Sequence, residues 1–200
     1  MGRRSAVWLL SALIAAAPLA AQGRLSKEDA DRFQSKLTKI VALGNSPAAT
    51  SSKRQNTPVT DVELNSYLKY HAADQIPTGI VEPELSALGG GRVSGRAVVD
   101  LDAVRTQKKR GWLDPLGYLT GRLPVTASGV LVTKEGKGQF QLQSAEISGV
   151  TVPKSVLQEL LAYYSKSPEN PEGINMDAPF ELPAKIQEIR VGTGTSTVVQ

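Results

Sequence analysis

The chain has 200 residues, with 23 Lys and Arg against 19 Asp and Glu, one His and no Cys. This length suits a single domain. The absence of Cys excludes disulfides, cysteine nucleophiles and cysteine-bound metals, and a single His excludes a multi-histidine metal site. The other residues, 40% hydrophobic and 21% charged, have the composition of an ordinary globular protein. Metal-based and histidine-based catalysis are therefore disfavoured from the start.

The first segment, Met1–Ala21, has the layout of a secretory signal peptide. Two arginines are followed by the uncharged run Ala6–Ala17, and Pro18 and small residues come next. The run is shorter than the ~20 apolar residues of a membrane-spanning helix. We therefore expect cleavage after Ala21 and export to the bacterial periplasm or medium, with an uncleaved N-terminal anchor as the alternative.

A helix is predicted within residues 22–44, because four apolar residues form one narrow stripe at helical spacing. These are Phe33, Leu37, Ile40 and Val41. The following stretch, Asn45–Pro58, is small, polar and rich in turn residues, so it is interpreted as a flexible linker. Residues 22–58 are thus expected to form an appendage, without which a single domain over residues 59–200 still folds.

That domain is predicted to begin with a helix over residues 61–73. Thr60 and Glu63 form the T-x-x-E capping box that typically starts a helix. The hydrophobic period then changes to two, in segments around residues 81–88 and 92–101 that flank Gly89–Gly91. Alternating segments joined by glycines indicate an antiparallel hairpin with one buried face.

The rest of the chain repeats this pattern. Residues 104–121 are expected to be loop and one short helix, and a second hairpin covers residues 121–133 and 139–144. A helix follows over residues 154–164, with Pro153 at its first position, and a final hairpin spans residues 186–200. The predicted fold is α+β: a curved, largely antiparallel sheet built from hairpins and wrapped against the C-terminal-half helix, with an N-terminal helical appendage.

Polar residues with catalytic or metal-binding potential are an aspartate pair and the single histidine. Asp100 and Asp102 are two apart on a predicted strand and would face the same way, which suits either a solvated face or a carboxylate pair. His71 lies near a helix C-terminus, where a structural role is favoured. We predict no catalytic residue, metal ligand or cofactor, and hence no enzyme.

A basic cluster with a neighbouring aromatic residue is the densest positive stretch of the chain: Lys108, Lys109, Arg110 and Trp112. Such a cluster suits lipid headgroups at a membrane surface. The alternative is an exposed loop whose Trp packs into the core. Removing Arg3 and Arg4 with the signal peptide lowers the net charge from +4 to +2, so nucleic-acid binding is not expected.

Several motifs occur in a familiar order over Val59–Gln200. They are VTDVELNSYL, the glycine-broken hairpin ending in VVDLD, YLTGRLPV, ISGVTVPKSVLQELLAYY and FELPAKIQEIRV. In this order the chain resembles the LmeA-like phospholipid-binding proteins, exported bacterial relatives of the tubular lipid-binding superfamily. It departs from them in its extra N-terminal helix and linker and in its few aromatic residues.

The resemblance implies a non-enzymatic protein of the cell envelope that holds acyl chains of a phospholipid or fatty acid in an apolar groove. Apolar residues that face the expected interior are Leu85, Val93, Val99, Leu101, Val125, Leu131, Phe140, Leu142, Leu157, Leu160 and Leu161. The alternative is that they fill a closed core. The protein would then be an envelope interaction or structural protein without a ligand, with the stripe on the first helix as one contact surface. The oligomeric state is not predicted.

Overall fold

The computed structural model describes residues 23–46, 54–107, 120–166, 168 and 170–200. Its helices are α1 (Lys27–Asn45), α2 (Asp61–Tyr70), α3 (Leu101–Gln107) and α4 (Lys154–Ser165), with a 3₁₀ turn at Ala73–Gln75. Its strands are β1 (Asn56–Thr60), β2 (Ile80–Gly89), β3 (Arg92–Asp100), β4 (Arg122–Lys134), β5 (Lys137–Ile147), β6 (Val150–Thr151), β7 (Phe180–Glu181), β8 (Glu188–Val191) and β9 (Thr195–Val199). The predicted α+β class is confirmed.

The main sheet is curved, open and antiparallel, with the strand order β2-β3-β4-β5-β6 and with β7 paired to β5. The β2–β3 hairpin reverses at three glycines with φ of 83°, 62° and 79°, a region that glycine enters without steric cost. The β4–β5 hairpin reverses at Glu135 and Gly136, whose φ values are 52° and 80°, as in the tightest hairpin turns. This turn is shorter than the predicted one because Lys134 and Lys137 are already paired.

A second, three-stranded sheet has the order β1-β9-β8. Its first strand corrects the linker prediction, because Asn56–Pro58 pair with β9 instead of lying in a flexible segment. Pro58 obscured this strand in the sequence, yet proline is tolerated in an edge strand, and β1 is at the edge. Asn45 belongs to α1, so the described part of the expected linker is reduced to Ser46, Arg54 and Gln55. The final hairpin is confirmed, with β8 beginning at Glu188.

Helix α1 begins at the N-cap Ser26, whose side-chain oxygen accepts the Asp29 N–H. It does not stand apart as the sequence suggested. Ile40 is only 5% exposed and forms a buried cluster with Leu182 and Ile186, which come from the far end of the chain. The sequence could not show this because a narrow apolar stripe does not identify its partner.

The two N-terminal helices also pack against each other. The rings of Phe33 and Tyr67 lie 4.9 Å apart in a tilted arrangement. Gly44, near the end of α1, approaches the Ala184 backbone so closely that an added Cβ would lie 2.5 Å from its Cα. Helix α1 is therefore an integral layer over α2 and the small sheet.

Helix α2 begins with the predicted capping box. The Thr60 hydroxyl accepts the Glu63 N–H at 3.2 Å, and the Glu63 carboxylate accepts the Thr60 N–H at 2.9 Å. Glu63 is 5% exposed, and Lys36 of α1 donates to both of its oxygens at 2.7 Å. Burial opposes ionisation of Glu63, but the hydrogen bonds from Lys36 and Thr60 and the Lys36 charge outweigh it, so its pKa is lowered.

We expect Glu63→Gln to destabilise the protein by about 1–3 kcal/mol at neutral pH, because Lys36 loses its partner in a partly buried site. Because the pKa of Glu63 is lowered in the folded protein, ionised Glu63 contributes its full stabilisation above the ordinary glutamate pKa of about 4.3. This stabilisation shrinks as the pH falls below that value and vanishes below the lowered pKa. Urea unfolding at a series of pH values should show the variant and wild type converging in acid. A difference in unfolding free energy that stays the same at every pH would contradict this. The control is Glu159→Gln, which changes an exposed glutamate.

Helix α2 also covers the edge of the main sheet. The Asn65 amide donates to the Leu85 carbonyl at 2.7 Å and accepts the Leu85 N–H at 2.8 Å. One turn earlier, Asp61 accepts the Ala87 N–H at 2.9 Å. These side chains take the place of a neighbouring strand along β2, which satisfies its edge and shields it from pairing with other chains.

Helix α4 spans nearly the predicted residues, with one difference at its start. Pro153 is the N-cap, with φ −58° and ψ 143°, and not the first helical residue. The segment after the helix folds back along it: Gln158 donates to the Ile174 carbonyl and accepts the Met176 N–H, and Lys154 pairs with Asp177. Helix α4 thus contacts this segment, and it also contacts β5.

Candidate functional site

The strand register divides the main sheet into two chemically different faces. One row across β3, β4 and β5 is Val93, Gly129 and Leu142, and another is Ala97, Val125 and Ile147. Since side chains alternate along a strand, the neighbouring rows point the other way. Their central part carries serines, Arg96, Thr126 and Glu146, and Val98, Pro124 and Val130 lie toward the two ends. The face that carries Val93, Leu142 and Val125 is the apolar face, and the face that carries the serines is the polar face.

The expected lining residues of the sheet lie together on the apolar face. Leu85 pairs with Gly95, Leu131 pairs with Phe140, and Val93 and Leu142 flank Gly129. A bulge between Ser128 and Gly129 keeps Leu142 in this set, because it shifts the β5 register by one residue. Val99 and Val125 complete the same face. Their joint placement agrees with the period-two pattern of the sequence.

This apolar face is only partly covered by the described residues. Of the expected lining residues, Leu101 alone is buried, at 2% exposure, and Leu85 is 42% exposed. Val93, Val99, Val125, Leu131, Phe140 and Leu142 are half-buried. Leu101 departs from the prediction because it begins α3 instead of continuing the strand, and its side chain packs as core.

Glycines make the apolar face smooth at three places. A Cβ on Gly129 would lie 2.6 Å from Cζ of Phe140, and one on Gly138 would lie 2.6 Å from the Phe180 ring. A Cβ on Gly95 would lie 3.3 Å from Cδ2 of Leu85. Large side chains therefore lie over glycines on neighbouring strands. As a result, the apolar face has little relief.

Helix α4 contributes the remaining expected lining residues. Leu157, Leu160 and Leu161 are half-buried, and no side chain described in this helix is fully buried. The helix contacts β5, a strand that contributes Phe140 and Leu142 to the apolar face. An apolar helix face that stays partly accessible beside an apolar sheet face is an arrangement that can accept an acyl chain.

The proposed headgroup or membrane contact, Lys108, Lys109, Arg110 and Trp112, falls outside the described residues and stays a prediction. The signal peptide, Met1–Ala21, falls outside them as well. Within the described part of the chain, none of the helices combines the length and apolar character of a membrane span.

The two candidate carboxylates do not lie on one strand in the structure. Asp100 ends β3 and accepts the Ala103 N–H at 3.0 Å, and the Arg122 Nε donates to it at 3.2 Å. These two hydrogen bonds lower the Asp100 pKa. Asp102 lies in the first turn of α3 and accepts the Gly121 N–H at 3.3 Å. The prediction that both belong to one strand was wrong, because α3 begins at Leu101, between them.

His71 is the C-cap of α2, and its Nε2 lies 2.6 Å from an Asp31 oxygen on α1. The His71 and Tyr67 rings meet in an edge-type arrangement with their centroids 6.0 Å apart. His71 therefore joins the two helices, in agreement with a structural role. No group of three or more His, Asp or Glu with metal-binding geometry occurs among the described residues.

The polar face carries a feature that the sequence analysis missed. A groove of about 300 Å³ is lined by Glu84, Ser86, Ser94, Gly95, Arg96, Thr126, Ala127, Ser128, Ser144 and Glu146. Four of these, Ser86, Ser94, Ser128 and Ser144, are register partners on four consecutive strands. Alternating serines are visible in the sequence, but their alignment depends on the strand register.

No protein-family model matches the chain, and no curated protein matches it either. Among solved structures, the crystal structure of lipopolysaccharide binding protein matches 72% of this chain and 40% of its own chain, with 16% sequence identity and a TM-score of 0.23. This chain thus spans less than half of that protein. At this TM-score the likeness carries no argument, and the resemblance to LmeA-like proteins stays a prediction.

Proposed function

We propose that this chain is an exported, non-enzymatic lipid-binding protein of the bacterial cell envelope. Acyl chains of a phospholipid or fatty acid lie against the apolar face of the main sheet, beside α4. Export is supported by the composition of Met1–Ala21, which stays outside the described structure. A membrane surface that delivers or receives the lipid is the partner that this function requires.

The observation that carries the proposal is the incomplete cover that the described residues give to the apolar face. A soluble protein usually buries such a surface, yet its large side chains stay half-buried or, at Leu85, exposed. Each buried methylene contributes about 0.8 kcal/mol, so a long acyl chain supplies several kcal/mol without any polar anchor. A lipid carrier needs this surface and no catalytic group.

The alternative, an interaction protein that uses the stripe on α1, has less support. Phe33 packs on Tyr67 and Ile40 is buried, so most of that stripe is occupied inside the protein. Val41 alone of the stripe is exposed. A single exposed valine does not form a contact surface.

Lipid binding is tested by thermal unfolding with and without a fatty acid or a lysophospholipid below its micelle concentration. We expect bound lipid to stabilise the wild type by ~2.7 kcal/mol at a hundredfold excess over its dissociation constant. Leu160→Ala should weaken lipid affinity more than it lowers stability, because Leu160 borders an open surface. The neighbouring exposed Glu159→Ala should change neither.

A closed core gives the opposite pattern. Leu160→Ala would then cost roughly 2–5 kcal/mol as a cavity variant, and lipid would not shift the melting temperature. If a broad panel of lipids leaves the wild-type melting temperature unchanged, the lipid-binding function is rejected.

A further inference from the structure

The groove on the polar face lies across the sheet from the proposed lipid site. Its floor is the serine row Ser86, Ser94, Ser128 and Ser144, one residue from each of β2, β3, β4 and β5. With neighbouring strands about 4.8 Å apart, the row extends for about 14 Å. Small side chains along this line leave space that longer residues would fill.

Taller residues flank this floor on one side. This flank is the register row Glu84, Arg96, Thr126 and Glu146, in which Arg96 pairs with Glu84. The register row on the other side, Arg92, Val130 and Gln141, does not line the groove. The floor and its flank stand on paired strands, so the groove keeps its shape without a ligand.

The chemistry of this groove selects a ligand class. A serine hydroxyl both donates and accepts hydrogen bonds, a carboxylate accepts them and a guanidinium donates them. Ser128 and Ser144 already exchange a hydrogen bond at 2.7 Å, so their hydroxyls are held in place. An anionic ligand would meet two carboxylates against one guanidinium, and an apolar ligand would desolvate the whole row. A neutral ligand rich in hydroxyl groups matches the lining in charge and in its hydrogen-bond donors and acceptors.

We infer that this groove is a second binding site, independent of the proposed lipid site, and that it takes a short neutral oligosaccharide across the four strands. Sugar hydroxyls replace water along the serine row and donate to Glu84 and Glu146. Arg96, whose position is fixed by Glu84, donates to a ring or glycosidic oxygen.

The test is an NMR titration of the chain beginning at Gln22 with a panel of neutral trisaccharides. We expect saturable shifts of the backbone amides of Ser94, Ser128 and Ser144. Ser128→Val fills the groove and removes a hydroxyl, while β-branched residues suit strands, so the fold is retained. This variant should bind about tenfold more weakly or worse. Gln141→Val, on the same face but outside the groove lining, should bind like the wild type.

Three results would overturn the inference: no neutral sugar shifts these amides, Ser128→Val binds as well as wild type, or only phosphorylated sugars or extended peptides bind. The lipid titration is the separate readout. Because Ser128 points away from the apolar face, Ser128→Val should keep any lipid-induced stabilisation. Loss of sugar binding and loss of lipid binding are therefore distinguished in the same set of variants.

Discussion

Deleting α1, so that the chain begins at Gln55, is expected to abolish cooperative unfolding or to lower the melting temperature sharply. The deletion uncovers Leu182 and Ile186 and removes Ile40 from their cluster. Loss of one buried isoleucine side chain costs about 2–5 kcal/mol, and a domain of this kind is stable by only about 5–15 kcal/mol. Gln200 also loses the Ile40 carbonyl to which its side chain donates at 2.9 Å.

Thermal unfolding by circular dichroism, with the chain beginning at Gln22 as the reference, measures this effect. Two point variants at neighbouring positions test whether the buried face of α1 causes it. Ile40→Ala should cost about 2–5 kcal/mol, whereas Val41→Ala should cost little because Val41 is 45% exposed. If the deletion chain has the same melting temperature as the reference, α1 is dispensable for folding.

Replacing Asn65 by Ala is expected to destabilise the protein by about 2–4 kcal/mol, since both backbone groups of Leu85 lose their partner. Asn65 is 7% exposed, so little water reaches the vacated space. Asn65→Asp keeps the acceptor for the Leu85 N–H but sets a carboxylate oxygen against the Leu85 carbonyl. We expect this variant to be destabilised as well.

Urea unfolding and hydrogen exchange of the Leu85 amide measure the loss. The matched control is Asn45→Ala, which changes an exposed asparagine at the end of α1. If Asn65→Ala is no less stable than this control and the Leu85 amide keeps its protection, the hydrogen bonds along the edge of β2 contribute little.

The local structure of the chain was predictable because its signals are short-range. The capping box at Thr60 and Glu63 begins α2 where expected, since both of its hydrogen bonds join residues three apart. Three glycines at residues 89–91 reverse the first hairpin because only glycine adopts such a run of positive φ without cost. Period-two alternation likewise placed the expected apolar residues of the main sheet on one face.

Predictions failed where the deciding contact was distant in sequence. Asn56–Pro58 have the composition of a linker, and their strand partner, β9, lies at the far end of the chain. The spacing of Asp100 and Asp102 suits one strand face, but α3 begins between them. The polar groove depends on the alignment of serines from four strands, which alternation within each strand does not determine.

The sequence by itself determined the α+β class, the hairpins, the capping-box start of α2 and the division of the main sheet into two faces. These follow from local conformational preference and from side-chain periodicity. The tertiary structure decided what covers each surface: α1 packs on the small sheet, α2 hydrogen-bonds along the edge of β2, and the described residues leave the apolar face of the main sheet partly open. The reason is that burial depends on which elements meet, and an apolar stripe is the same in sequence whether it fills a core or lines a binding site.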